Sequence, residues 1–296
     1  MLILELLKSI LYGIVEGITE WLPISSTGHL IIVEDLLPFA FETPHKDFHK
    51  EFWEMFQVVI QLGAILAVVV LFWQKLWPFS KKKTAAEKRG TWRLWTHVLV
   101  ASLPAAFAGI VLDKVLETAT GKDIDGWLYN SVVVAVALIV YGVAFILIER
   151  LNKNRAPRVE RVEDLSYRSA LAIGAFQALS IVPGTSRSGS TILGSMLMGI
   201  SRTAAAEFSF FMAIPVMVGA SGIKALGFVS WVTENDVTVP ALAWVTLLAG
   251  CLVSFLVSMA AIRFLMDFVK KHSFAPFGVY RIALGVLVLL WWLVRM

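Results

Sequence analysis

Charge is scarce in this chain. Of its 296 residues only 16% are Asp, Glu, Lys or Arg, while 58% are hydrophobic. Soluble domains carry about 25% charged residues, so the composition argues against a soluble protein. Cysteine is almost absent. Cys251 has no partner for an internal disulfide, and inside an apolar run it reads as a packing residue. No cleavable signal peptide is visible: the first apolar stretch lacks a basic start and an A-x-A site, and Glu16 and Glu20 interrupt its continuation. The short alternating segments of a β-barrel are missing too. The net charge of +4 is not a nucleic-acid signal, because the basic residues fall in loops between apolar runs, as membrane topology requires. These absences leave an all-α integral membrane protein, with membrane lipids and no nucleic acid among its partners.

Six apolar runs read as membrane spans: residues 55–73, 97–112, 127–148, 208–232, 240–266 and 277–294. Two other stretches are too short to cross a hydrocarbon core of about 30 Å. Residues 2–15 would extend about 21 Å as a helix before Pro23 stops it, and residues 28–37 would return. Residues 167–200 repeat this pattern around the turn 183–191. Both read as re-entrant helical loops. The loops after the first, third and fifth spans hold nearly all the loop Lys and Arg, from Lys75 to Arg93, from Arg150 to Arg161, and at Lys270 and Lys271. The loops at 113–126 and at Glu234 and Asp236 are net acidic. The positive-inside rule therefore predicts cytoplasmic basic loops, with both termini and the first re-entrant loop outside. The second re-entrant loop would enter from the cytoplasm.

The two polar stretches resemble each other. Gly13-Ile-Val-Glu-Gly leading to Leu22-Pro-Ile-Ser-Ser-Thr-Gly-His29 matches Gly174-Ala-Phe-Gln-Ala leading to Val182-Pro-Gly-Thr-Ser-Arg-Ser-Gly189, with one residue skipped between blocks. Glu16 then aligns with Gln177, and Ser26 with Ser186. Each half, 1–150 and 165–296 of a single membrane domain, holds one loop and three spans. Three is odd, so the halves have inverted topology, and their polar tips are expected to meet near the midplane.

Ionisable groups at membrane depth are costly and usually functional. Glu16 and Glu20, four residues apart, share a helix face. They suit a hard cation, Mg²⁺ or Ca²⁺, or a general base, or a shared proton; the plainer reading is an amphipathic surface helix. Ser25, Ser26 and Thr27 are ordinary N-caps or, with the free N–H groups of a helix start, a phosphate site. His29 closes a structural hydrogen bond or transfers a proton. Arg187 meets lipid headgroups or grips phosphate oxygens, with Gly184, Ser186, Ser188 and Thr191 as further substrate contacts. Gln57 and Gln61 serve interhelical bonds or substrate, and Arg281 reads as a snorkelling side chain. Together the acids, hydroxyls, imidazole and arginine favour an enzyme. A lipid transporter is the rival that the inverted halves alone would support.

These loops resemble the signatures of the bacterial undecaprenyl-diphosphatase family. E-x-x-x-E running into S-S-T-G-H stands at Glu16 to His29, and P-G-x-S-R-S-x-x-T stands at Pro183 to Thr191. The resemblance covers essentially the whole chain, with residues 39–51 longer than the family pattern. It implies a plasma-membrane phosphatase that removes the terminal phosphate of undecaprenyl diphosphate, a divalent-cation requirement, and a link to bacitracin resistance. It carries catalytic roles onto Glu20, Ser26, His29 and Arg187, and cation binding onto Glu16 and Glu20, leaving Ser26 or a metal-activated water as nucleophile. The pocket is expected to open to the extracytoplasmic side, with the polyprenyl tail leaving sideways into the bilayer. A homo-oligomer is compatible with this reading.

Overall fold

The computed structural model describes residues 2–121, 127, 128 and 130–295. In chain order the helices are α1 (Leu2–Thr19), α2 (Ser26–Leu36), α3 (Phe48–Val59), α4 (Gln61–Leu71), α5 (Trp73–Leu76), α6 (Ala85–Thr120) and α7 (Ser131–Asn152), followed by α8 (Tyr167–Ala178), α9 (Arg187–Leu197), α10 (Arg202–Glu234), α11 (Ala241–Lys271) and α12 (Ala275–Arg295). Short 3₁₀ turns stand at Val162–Asp164 and Leu179–Ile181. Among the described residues β pairing is limited to the bridge between Val159 and Ile200. Six helices there are long and apolar enough to cross a membrane, α3 and α4 running together as Phe48–Leu71. The chain is a multi-pass, helical membrane protein.

Helix α1 shows the physics most directly, because its pattern is inside out. Glu5, Lys8, Ser9, Tyr12, Glu16 and Thr19 are buried, while Leu2, Ile3, Leu4, Leu7, Ile10, Ile14 and Ile18 are exposed. A helix at a water surface buries its apolar stripe; one facing lipid tails has no reason to. Most of these buried polar groups find partners, Glu16 being the exception. Lys8 Nζ donates to Glu5 Oε1 at 2.7 Å and to the Pro38 carbonyl at 2.6 Å, fixing the start of α1 to the segment after α2. Along its inner face α1 lies on α11, where a Cβ at Gly13 would sit 2.7 Å from the Gly250 carbonyl oxygen. Helix α8 lies on α6 in the same way, with Gly174 against the Ala101 carbonyl and Pro104.

Several expected boundaries move; the fourth span, for one, begins at Arg202 and not at 208, and the fifth runs on to Lys271. The first span begins at Phe48, not at 55, because Phe48, Phe52, Trp53 and Phe56 point into a buried aromatic cluster with Tyr12, Phe39 and Phe41. Lys50, Glu51 and Glu54 interrupt the apolar run in sequence but occupy other faces of the same helix. The second span runs over all 36 residues of α6, about 54 Å at 1.5 Å per residue, and continues through Pro104. Its start is a capping box, with Thr84 Oγ1 accepting from Glu87 N while Glu87 accepts from Thr84 N. Its charged first turns hid it from a search for apolar runs. The third span starts at Ser131, with Asn130 as cap, and not at 127. Residues 122–126 of the acidic segment, and residue 129, lie outside the described residues.

Candidate functional site

The site is built by two helical hairpins, α1–α2 and α8–α9, whose turns touch. Each second arm starts at a serine in the left-handed region: Ser25 at φ 73° and Ser186 at φ 71°. In each, the side-chain oxygen accepts a hydrogen bond from a glycine N–H three residues on, Gly28 at 3.4 Å and Gly189 at 3.1 Å. Such non-glycine conformations cost about 1–3 kcal/mol each and cluster at functional sites. The shared geometry sets a constant offset of 161 residues, which also pairs Gly13 with Gly174 and Glu16 with Gln177. The skipped residue of the sequence comparison is unnecessary: Ser186 is the counterpart of Ser25, and Arg187 that of Ser26.

Where the turns meet, Ser26 Oγ donates to Glu20 Oε2 at 2.7 Å, and Arg187 Nη2 donates to Glu20 Oε1 at 3.2 Å. Arg187 Nη1 donates to the Ser209 carbonyl on α10 at 2.7 Å, and the Ser209 hydroxyl is 2.7 Å from Thr191 Oγ1. The guanidinium lies 5.9 Å from the ring centre of buried Trp21. Ser188 Oγ donates to the Glu20 carbonyl at 3.1 Å and sits 3.1 Å from Ser186 Oγ. The ion pair is nearly dry, its side chains 10% and 7% exposed. At that depth its energy depends on every remaining donor and acceptor being met.

Other expected site residues stand apart from this chain of bonds. Glu16 is fully buried, and neither carboxylate oxygen has a hydrogen-bond partner. His29 turns toward α12: Nδ1 donates to the Ser25 carbonyl at 2.7 Å and Nε2 lies 2.7 Å from the Tyr280 hydroxyl, with the two rings stacked. No hydrogen bond joins it to Ser26 or Glu20. Thr27 and Ser26 face a cavity of about 690 Å³, lined also by Glu34, His49, Trp53, Gln57, Gln61 and Lys224. Glutamines 57 and 61 thus share a wall with the serine. Gly184 gives its carbonyl oxygen to Arg281. Among the described residues no group of three or more His, Cys, Asp or Glu side chains gathers as a metal cage.

Sequence reasoning misjudged Arg281. It does not snorkel; it is wholly buried. Nη1 donates to the Pro23 carbonyl at 3.1 Å, and Nη2 donates to the Gly184 and Thr185 carbonyls at 2.7 and 2.9 Å. Pro23 and Gly184 are counterparts under the 161-residue offset, so one guanidinium ties equivalent atoms of both turns. An arginine in the interior of an apolar span was the signal that could have revealed it. Ser209 gave no such signal, because a serine in a helical span is unremarkable.

The chain matches the family model described as bacitracin resistance protein BacA over residues 9–287. It is 50% identical over 293 residues to an undecaprenyl-diphosphatase of Enterococcus faecalis, covering 99% of both chains. It is 51% identical over 295 residues to one from Streptococcus gordonii, covering all of this chain and 98% of the relative. A third, from Acetivibrio thermocellus, is 50% identical over 290 residues and 98% of each chain.

Proposed function

The chain belongs to the bacitracin resistance protein BacA family, and from that membership we propose that its two hairpins form one phosphohydrolase site for a polyprenyl diphosphate. The protein hydrolyses undecaprenyl diphosphate to undecaprenyl phosphate and inorganic phosphate, returning a lipid carrier to cell-wall synthesis. The single observation that carries the mechanism is the run Ser26–Glu20–Arg187, which joins a hydroxyl, a carboxylate and a guanidinium drawn from both hairpins.

Ser26 Oγ is the nucleophile. Glu20 Oε2 already accepts its proton in a hydrogen bond and takes that proton as the oxygen attacks the terminal phosphorus. The bond to the bridging oxygen breaks, and that oxygen leaves with the lipid phosphate. Phosphoryl transfer needs mainly positioning and charge stabilisation. Arg187 supplies both, with Ser186, Ser188 and Thr191 as neutral partners in its turn and Ser25 and Thr27 at the start of α2. Glu20 passes that proton to the departing lipid phosphate and is a carboxylate again; it then takes a proton from the water that attacks the phosphoserine and returns it to Ser26 Oγ as inorganic phosphate leaves. His29 holds the Ser25 carbonyl and so the strained cap that presents Ser26. Glu16 fits a hard divalent cation, Mg²⁺ or Ca²⁺: its two buried oxygens have no protein donor, and Glu20 stands one turn on. Bound there, the ion would neutralise diphosphate charge.

The hairpins are re-entrant, and the halves 1–150 and 165–296 are inverted repeats. Support comes from the inside-out face of α1, the 161-residue offset, and the matched packing of α1 on α11 and α8 on α6. The protein sits in the bacterial plasma membrane with both termini outside. The cavity beside Ser26 opens outward, because the basic loops mark the other face as cytoplasmic.

The test uses purified protein in detergent with Mg²⁺ or Ca²⁺ and undecaprenyl diphosphate. Phosphate release is expected from the wild type, and none above background from Ser26→Ala. Rapid quench with labelled substrate should trap phosphoserine. Substantial turnover by Ser26→Ala would move the attack to water.

A further inference from the structure

We infer that Gln177 is a substrate-positioning residue, its side-chain amide donating a hydrogen bond to the diphosphate. The inference rests on the phosphohydrolase reading and extends it to a residue outside both signatures.

Gln177 lies in the last turn of α8, just before the turn that carries Ser186 and Arg187. It is 1% exposed, and neither its amide nitrogen nor its amide oxygen has a hydrogen-bond partner. It continues the buried stripe Ala170, Ile173 and Gly174, as Glu16 continues Ser9, Tyr12 and Gly13. A buried amide left unpaired is expensive, and folded proteins seldom keep one without a use. Its company points to that use. Among the described residues, buried side-chain atoms without partners belong to Glu16, Trp21, Gln177, Arg187, Ser254 and Arg281. All but Ser254 sit on the two hairpins or on the arginine that ties them. Unmet donors and acceptors concentrated on these elements call for a polar partner.

The chemistry separates the two counterparts. Glu16 offers only acceptors and negative charge, which suits a cation. Gln177, at the equivalent place, offers two N–H donors and no charge, which suits a phosphate oxygen. One arm is thus equipped for the ion and the other for the anion. A carboxylate at 177 would face the same diphosphate that Arg187 attracts.

The experiment measures steady-state phosphate release from undecaprenyl diphosphate, together with the thermal unfolding midpoint, for purified wild type, Gln177→Met, Gln177→Glu and Ser254→Ala. Gln177→Met should raise KM by roughly 10- to 100-fold, the worth of one hydrogen bond to a charged group, with kcat little changed. Its midpoint should stay or rise, since methionine leaves no buried amide unpaired. A purely structural role predicts the reverse, a lower midpoint with KM intact. Gln177→Glu, nearly the same shape, should raise KM further, because it sets negative charge against the diphosphate. Ser254→Ala should keep wild-type kinetics. A Gln177→Met enzyme with KM within twofold of wild type overturns the inference. If that variant does not fold, an unchanged KM in Gln177→Glu overturns it instead. Absence of phosphate release by the wild type defeats the underlying reading. Release by the wild type with KM unmoved at 177 defeats this inference alone.

Discussion

The hairpins α1–α2 and α8–α9 share a backbone and differ in charge. Both turns are capped by a serine with positive φ, both first arms press a glycine onto a neighbouring span, and both turns give a carbonyl to Arg281. Yet the first hairpin carries Glu16 and Glu20, whereas the second carries Gln177 and Arg187. Likeness of the scaffold brings two tips together; under the proposed mechanism, the difference in their side chains makes the meeting point reactive. Two acidic tips would repel a diphosphate, and two basic tips would hold it with nothing to take a proton.

That comparison can be broken from either side. Arg187→Met removes the only charge that turn 183–191 contributes. It should lower phosphate release by at least about a thousandfold, the scale of an arginine in phosphoryl transfer, with the protein still folded by its unfolding curve. A loss under tenfold would show that the second hairpin only supports the first. Glu20→Gln, on the other side, should cost about a hundredfold, since the amide cannot take the Ser26 proton.

The shared scaffold can be tested through stability. Arg281→Met strips a hydrogen bond from each of three buried carbonyls and should cost about 3 kcal/mol, read from denaturation in detergent. Gly13→Ala and Gly174→Ala should each cost about 1–3 kcal/mol, because both backbones must retreat from a carbonyl. Similar losses from the pair support the repeat, and a large difference would break it. The smallest effect belongs outside both hairpins. Thr84→Ala should cost about 1 kcal/mol from the capping box of α6 and leave phosphate release unchanged.

Much of this was legible in the sequence. Apolar runs gave the number of spans, and the basic loops gave a consistent order. Glu20, Ser26 and Arg187 stood out because charged groups and hydroxyls are conspicuous in apolar surroundings. Periodicity failed where one helix carries different functions on different faces. Phe48 to Glu54 mixes aromatic anchors with charges, so it read as a loop. Arg281 was visible but given the wrong partner, because a carbonyl acceptor on a distant turn leaves no mark in local sequence. The 161-residue offset between the two hairpins follows from dihedral angles at Ser25 and Ser186, which residue letters alone do not display.

The inside-out face of α1 has a consequence for how the protein is made. Helix α1 is synthesised well before α11, yet much of the surface that accepts it belongs to α11. Ser9 donates to the Thr246 carbonyl at 2.5 Å, and Ser258 donates to the Gly17 carbonyl at 3.2 Å, across sequence separations of 237 and 241 residues. Until α11 exists, the strip of α1 at Ser9, Gly13 and Gly17 lacks the surface it packs on. Nascent chains ending before residue 240 should therefore leave a cysteine placed at position 9 open to aqueous labelling, and chains extending past 271 should protect it. Helix α1 precedes α11 in synthesis, so the hairpin that carries Glu20 and Ser26 settles only once α11 arrives.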